Sequence, residues 1–359
     1  MNEWNGFLTG TALYEIGSGQ EQRRDFSYFE VPAGTGQYAW NDYNSDGIQQ
    51  LNEFELALFP DQAKFIRIYT PTNEFIKANY TQFNYNISLN PKALFASAKT
   101  KTFQNFISNF LFTSSFQTFK KELSQGNPLY NPFKGNISDT SLINLNYITS
   151  NTLSFNRYSN RWGADITNLS SYNKSLLTYG LETTKRNEWS FKTRMNIKKI
   201  YTLSLQQKIA QYSLATPSFN NRNYNISSLQ TSPQFTYTAG TRFRISAAYN
   251  FSQQKNEAQY GGEKSISNAL VTEAKFNSFS NTSLSASLIF NNINFTGLTN
   301  TTVSYIMLNG LLPGKNWLWS LSLTKRLINN LEITIDYNGR KPGDTKAIHT
   351  GTMGVRALF

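Results

Sequence analysis

Thr241-Arg242-Phe243-Arg244-Ile245-Ser246-Ala247-Ala248-Tyr249-Asn250-Phe251 is the stretch that decides the fold. Phe243, Ile245, Ala247, Tyr249 and Phe251 fall on one face, and Arg242, Arg244, Ser246, Ala248 and Asn250 on the other. A repeat of two gives an extended strand one apolar and one polar side, and would scatter both around a helix. The split recurs along the chain. Trp189, Phe191, Met195 and Ile197 oppose Glu188, Ser190, Lys192, Arg194 and Asn196; Leu331, Ile333, Ile335 and Tyr337 oppose Glu332, Thr334, Asp336 and Asn338. Leu284, Ala286, Leu288 and Phe290 oppose Ser283, Ser285 and Ser287. The segments are close to the ~10 residues that a tilted membrane strand needs.

Composition narrows the choice. The 359 residues are 15% aromatic and only 16% charged, with 34 Lys and Arg against 22 Asp and Glu, a formal charge of +12. Roughly 25% charged would be ordinary for a soluble domain. No run of ~20 apolar residues occurs, so a helical membrane protein is excluded. The wealth of Phe and Tyr among Asn, Ser and Thr excludes disorder. With no cysteine and a single histidine, His349, the chain builds no disulfide framework, thiol nucleophile or histidine-clustered metal site.

Between the alternating segments stand short breaks: Ala239-Gly240, Asn329-Asn330, Lys185-Arg186-Asn187 and the turn Leu311-Leu312-Pro313-Gly314-Lys315-Asn316. Strands joined so closely are antiparallel neighbours. Candidate strands run from residue 74 to the C-terminus and include 162–171, 175–185, 188–197, 299–308 and 348–359. Because single-chain bacterial barrels have an even number of strands, the expected fold is an all-β, transmembrane antiparallel β-barrel of about 14 strands, within a range of about 12 to 16. Residues 71–359 form the barrel on this reading. Residues 1–70, richer in charge and glycine, form an N-terminal β-rich segment, extramembrane or plugging the lumen, with the boundary near Pro71.

Three features favour the barrel over a soluble sandwich. Aromatics gather at strand ends, as with Trp317, Trp319 and Tyr337. The inner face carries both signs of charge: Lys192, Arg194, Arg242, Arg244, Glu332, Asp336 and Arg356 as lumen-lining candidates, with Glu188, Glu273 and Lys275 beside them. A wet lumen tolerates these and a sandwich core does not. The third is the ending Val355-Arg356-Ala357-Leu358-Phe359, whose aromatic Phe359 looks like the terminal-strand signal read by barrel-assembly machinery.

One motif carries chemistry. In Asp42-Tyr43-Asn44-Ser45-Asp46-Gly47-Ile48-Gln49-Gln50-Leu51-Asn52-Glu53, the spacing matches the calcium loop D-x-[DN]-x-[DN]-G-x5-E. Asp42, Asn44, Asp46 and Glu53 would supply side-chain oxygens to Ca2+, Ile48 its backbone carbonyl, and Gly47 the sharp turn. Gln49 stands where an EF-hand places an apolar residue, and no convincing helix precedes the loop, so the expectation is a structural calcium loop set in β structure. The competing reading is an Asp/Asn/Gly turn without metal.

His349 has no serine beside it in a catalytic pattern and reads as a residue at headgroup level, so no enzyme is expected. Lys and Arg are spread along the chain rather than gathered into a stripe, which argues against nucleic acid. Lipopolysaccharide headgroups or an electropositive lumen account for the excess. No basic region followed by an apolar run opens the sequence, so a signal peptide has been removed or Met1 is an internal boundary.

Tyr38 to Glu55, Phe65-Ile66-Arg67-Ile68-Tyr69-Thr70-Pro71-Thr72-Asn73-Glu74-Phe75-Ile76, and the end from Tyr305-Ile306-Met307-Leu308 through Gly339-Arg340-Lys341-Pro342 to His349 together resemble the C-terminal region of large outer-membrane proteins of Bacteroidota of unassigned function. The resemblance implies the outer membrane, a long extracytoplasmic region ahead of the barrel, and no catalytic residues. The function expected is a membrane anchor or scaffold of a larger envelope assembly, in contact with outer-membrane lipid, lipopolysaccharide, assembly machinery and other envelope proteins. The alternative is a transport pore with an Arg-lined, anion-preferring lumen.

Overall fold

A computed structural model describes residues 2–95, 102–124, 131–133, 140–177, 180–217, 219–278, 281–327 and 331–357. The chain is all-β. Among the described residues its strands form one sheet of 17, three of which are only two or three residues long, Asn2–Glu3, Tyr38–Trp40 and Phe54–Leu56. The long ones are β1 (Leu8–Glu30), β2 (Phe65–Leu89), β3 (Phe110–Leu123), β4 (Leu142–Phe155), β5 (Trp162–Leu177), β6 (Gly180–Ile197) and β7 (Tyr201–Ala215). They continue as β8 (Tyr224–Ala239), β9 (Phe243–Asn256), β10 (Lys264–Asn277), β11 (Thr282–Thr296), β12 (Gly314–Arg326), β13 (Leu331–Lys341) and β14 (Ile348–Ala357). Each pairs antiparallel with the next, from β1 with β2 to β13 with β14. Among the described residues no register joins β14 to β1.

Several expected boundaries move. The first strand is Leu8–Glu30, which pairs with Phe65–Leu89 along almost its whole length. Residues 1–70 therefore do not form a segment ahead of the sheet, and the boundary expected near Pro71 falls inside β2. Glycines at 10, 17 and 19 disguise the alternation in β1. At Gly17 the ring of Tyr80, its cross-strand partner, fills the place a Cβ would take. Residues expected as a strand at 299–308 are instead a short helix, α2 (Thr302–Met307), and a first helix, α1 (Thr102–Ile107), precedes β3. The break expected at Lys185-Arg186-Asn187 lies within β6, because each polar side chain finds a partner on its own face: Arg186 pairs inward with Glu188, while Lys185 lies over the Tyr172 ring and Asn187 accepts from Asn168 on the other face.

Alternation of connections gives the sheet two unlike ends. At one end lie the connections 31–64, 257–263, 297–313 and 342–347, the described parts of 124–141 and 216–223, and the facing ends of β5 and β6. At the other are the compact turns 198–200 and 240–242, the facing ends of β10 and β11 and of β12 and β13, the connection 156–161, the described parts of 90–109, the start of β1 and the end of β14.

Burial divides the sheet by face rather than by depth. One face exposes a band of large apolar side chains that meet across the ladders: Trp189 (55% exposed) beside Ile209 (61%), Met195 beside Leu203, Leu203 beside Phe235, Tyr249 beside Leu270, and Met353 beside Ile335. The opposite face of β6 to β12 is mixed and lines a common cavity of about 530 Å³, with Arg186, Tyr212, Ser228, Asn250, Ser267 and Asn291 among its walls beside Ile226, Val271, Ile289 and Leu318. Residues of seven successive strands border one space, so the sheet is strongly curved, with the face that carries Arg186, Asn250 and Asn291 inward.

Candidate functional site

The connection 31–64 between β1 and β2 crosses the long-connection end of the sheet. Tyr28, Tyr38, Phe54 and Phe65 form its own small core, with Tyr28 and Phe54 stacked at 3.9 Å. Beyond that core it is fastened to distant strands. Arg222, in the β7–β8 connection, is buried between Glu55 at 3.4 Å and Glu182 of β6 at 3.5 Å. Arg340, near the end of β13, grips both carboxylate oxygens of Asp61, at 3.0 and 2.5 Å, and lies over the Phe59 ring at 4.4 Å. A planar fork on a carboxylate fixes orientation as well as proximity. The Asp61–Arg340 pair brings the connection next to the first two strands onto the penultimate one.

Burial raises the Glu55 carboxyl above its ordinary range, and the facing Arg222 opposes that rise only in part; Thr302 and Tyr43 also lower it while Glu182 raises it. The Tyr43 hydroxyl, 3.4 Å from Glu55, is itself raised, first by burial and then by the Glu55 charge.

Helix α2 covers the same end. Thr301 caps it, accepting from the Ser304 N–H at 3.1 Å, while the Ser304 hydroxyl accepts from the Thr301 N–H at 2.9 Å. Val303 and Met307 pack on Ile226, and Leu308 and Leu311 on Ile293, with Phe59 from the connection added to the second group. Two fully buried asparagines hold the flanking turns. Asn316 donates to the carbonyls of Leu312 (2.8 Å) and Gly314 (3.0 Å) and accepts from the Gly343 N–H (3.1 Å). Asn256 donates to Glu263 (2.7 Å) and to the Tyr260 carbonyl (2.9 Å).

The calcium-loop residues lie in this connection. Asp42 accepts from the N–H groups of Asp46 (3.2 Å) and Gly47 (2.8 Å), and Asp46 accepts from the Ile48 N–H (2.7 Å), Asn44 (2.9 Å) and Gln50 (2.8 Å). Gly47 has φ 72° and Ser45 φ 60°, so the chain curls as the motif requires. Asp42, Asn44 and Asp46 are thus brought together. Glu53 is not brought to them as a metal cluster: its carboxylate accepts from the Trp40 indole N–H at 2.8 Å and is buried. Among the described residues no three of His, Cys, Asp and Glu converge as a metal site. Asp42, Asn44 and Asp46 share the curl with their oxygens engaged by N–H groups, and Glu53 stands apart from them on Trp40.

Register puts Lys192, Arg194, Arg244, Glu332, Asp336 and Arg356 on the face that lines the cavities. All except Asp336 sit toward the short-turn end. Arg242 lies in the turn before β9, where its carbonyl accepts from the Asn277 N–H at 2.7 Å. Glu332 accepts from Arg326 at 3.2 Å, and Arg194 donates to the Arg157 carbonyl at 2.5 Å. Phe359 lies outside the described residues. His349 is on the outward face, its Nδ1 2.8 Å from the Tyr337 hydroxyl. Sequence reasoning missed Arg222, Glu182, Asp61 and Arg340, since isolated ionisable residues carry no spacing signal. Comparison with protein-family models and with curated proteins finds no match for the chain.

Proposed function

We propose that the chain is a β-barrel of the bacterial outer membrane, with β14 closing on β1, and that it serves as the membrane anchor or scaffold of a larger envelope assembly with one mouth covered by its own 31–64 connection. The observation that carries this reading is the covered end: a connection pinned to the β7–β8 turn and to β13 by buried ion pairs suits a barrel kept shut more than a free channel. The outward apolar band suits hydrocarbon, because soluble monomers rarely expose contiguous apolar patches beyond a few hundred Å². In such barrels the long loops face outward and the short turns the periplasm. The calcium loop then lies on the outer side, where Asp42, Asn44, Asp46 and the Ile48 carbonyl would hold Ca2+ once Glu53 left Trp40, bracing the connection near lipopolysaccharide. Assembly machinery would act on the C-terminal strand.

The pore reading rests on the cations lining the short-turn end, which would favour anionic solutes in an open lumen. Single-channel recording in planar bilayers separates the two. The intact chain is expected to be silent, with currents appearing when Arg222→Ala and Arg340→Ala release the connection; steady anion-selective conductance from the intact chain would replace the anchor by the pore. Membrane insertion is tested apart from this with brominated lipids, which should quench the exposed Trp189 and leave the connection's Trp40 bright.

A further inference from the structure

Inward-facing cations at the two ends of the sheet are treated differently. Toward the covered end each has a carboxylate: Arg222 has Glu55 and Glu182, Arg340 has Asp61, Arg186 and Lys208 share Glu188, and Lys121 has Glu21. At the short-turn end Arg326 pairs with Glu332 at 3.2 Å. Lys192, Arg194, Arg244, Lys275 and Arg356, however, share the cavity-lining face without an ion pair among the described residues, although Asp165 stands opposite Lys192 and Glu332 opposite Arg356 in their ladders. Arg244 and Lys275 stand directly opposite each other in the β9–β10 ladder. Like charges in that position destabilise a sheet. Glu273, opposite Ser246, is the nearest carboxylate along that ladder and bridges to neither. The turn joining β6 to β7 adds Lys198 and Lys199, both exposed and at φ 51° and 60°.

We infer that this end of the concave face receives an extended acidic polypeptide segment of a partner protein, which docks against Lys192, Arg194, Arg244 and Lys275. Strands are spaced about 4.8 Å apart, so the cations of β6 and those of β9 and β10 lie about 14 to 19 Å apart around the wall. One compact anion cannot meet them all, whereas carboxylates repeated along an extended chain can. The opposite end is covered by 31–64, which leaves the short-turn end as the side of entry. This deepens the anchor reading and rests on it: the docked segment belongs to what the barrel holds.

The test uses the full chain purified in detergent micelles and a fluorescein-labelled peptide of ten glutamates, followed by anisotropy at low and physiological salt. Saturable binding that weakens with salt is expected. The double variant Arg244→Gln, Lys275→Gln should lose at least tenfold in affinity, and Lys341→Gln, Lys346→Gln at the covered end should lose none. Arg194→Gln supplies a second variant should the double one misfold. Absence of saturable binding at low salt, or equal loss from both pairs, overturns the inference. Displacement by inorganic phosphate at matched charge would mean a compact-anion site, and tighter binding of a single-stranded oligonucleotide would mean a nucleic-acid site; either result overturns it as well. Because binding is read without a bilayer, its failure is distinct from a failure of the conductance experiment.

Discussion

The covered end and the short-turn end are built from the same strands with opposite economies of charge. At the covered end buried cations are matched by carboxylates, and two apolar clusters, around Ile226, Val303 and Met307 and around Ile293, Leu308 and Leu311, sit at α2 and the residues that follow it. At the short-turn end exposed cations face one another, and the turns at 198–200 and 240–242 are minimal. The difference teaches that stability and charge are separated along the strand axis: one end is fixed by its contacts and the other keeps its charges available.

The sharpest way to break that contrast is to unpin the covered end. Arg222→Ala leaves the Glu55 carboxylate buried without its cation, and losing one partner of a buried pair costs about 3–5 kcal/mol. Amide exchange should show residues 41–56 losing protection while the β6–β10 ladders keep theirs; unchanged protection would mean the aromatic core alone holds the connection. The pH dependence carries its own sign. Burial raises the Glu55 carboxyl, so the folded form holds that proton more tightly than the unfolded one. Docking is therefore firmest at and below the ordinary carboxylate value of about 4.3 and weakens as pH rises through the raised value. After correction for intrinsic exchange rates, protection of 41–56 should decline toward neutral pH, and Glu55→Gln should flatten the profile.

A smaller effect separates the turns from the connection. Asn316→Ala removes an amide that satisfies three carbonyls and two N–H groups at zero exposure, and orphaned buried groups cost about 1–3 kcal/mol in general. Denaturant titration should show that loss, with exchange faster at 311–314 and 342–345 and unchanged at 198–200.

What was legible in the sequence was whatever repeats. Period-two alternation located β6 to β14, apart from the break read into β6, because each of those strands has one wet and one dry face. It failed at β1, where Gly10, Gly17 and Gly19 remove side chains from the pattern, and at α2, whose Thr302-Val303-Ser304-Tyr305-Ile306 alternates like a strand until its Thr301 cap and its packing on Ile226 decide for a helix. The calcium spacing found a real curl at 42–48 but could not reveal that Trp40 would hold Glu53. The ion pairs at the covered end were illegible for a physical reason: Asp61 and Arg340 are 279 residues apart, and no local pattern encodes a contact made by the curvature of the whole sheet.

The short-turn end can be sharpened in the other direction, by making it more stable. Lys198 and Lys199 both occupy left-handed backbone, with the Ile200 N–H donating to the Ile197 carbonyl, the two-residue hairpin geometry that favours Asn-Gly. Replacing them by Asn-Gly should stabilise the sheet by about 1–2 kcal/mol, since a left-handed conformation costs about that much for an ordinary side chain.

The smallest effect is the most discriminating. Lys275→Gln removes one of two like charges set opposite each other, and cross-strand pairs are worth roughly 0.2–1 kcal/mol, so the variant should be more stable than the parent at low salt. The gain should shrink as salt rises, because screening already suppresses repulsion between exposed charges. Chemical denaturation at two ionic strengths measures it. A loss of stability at low salt would mean that Lys275 is held by an attraction, such as one with Glu273, and that the short-turn end balances its charges as the covered end does. A gain that fades with salt would mean that the repulsion is real, and that this end retains charges which folding alone does not favour.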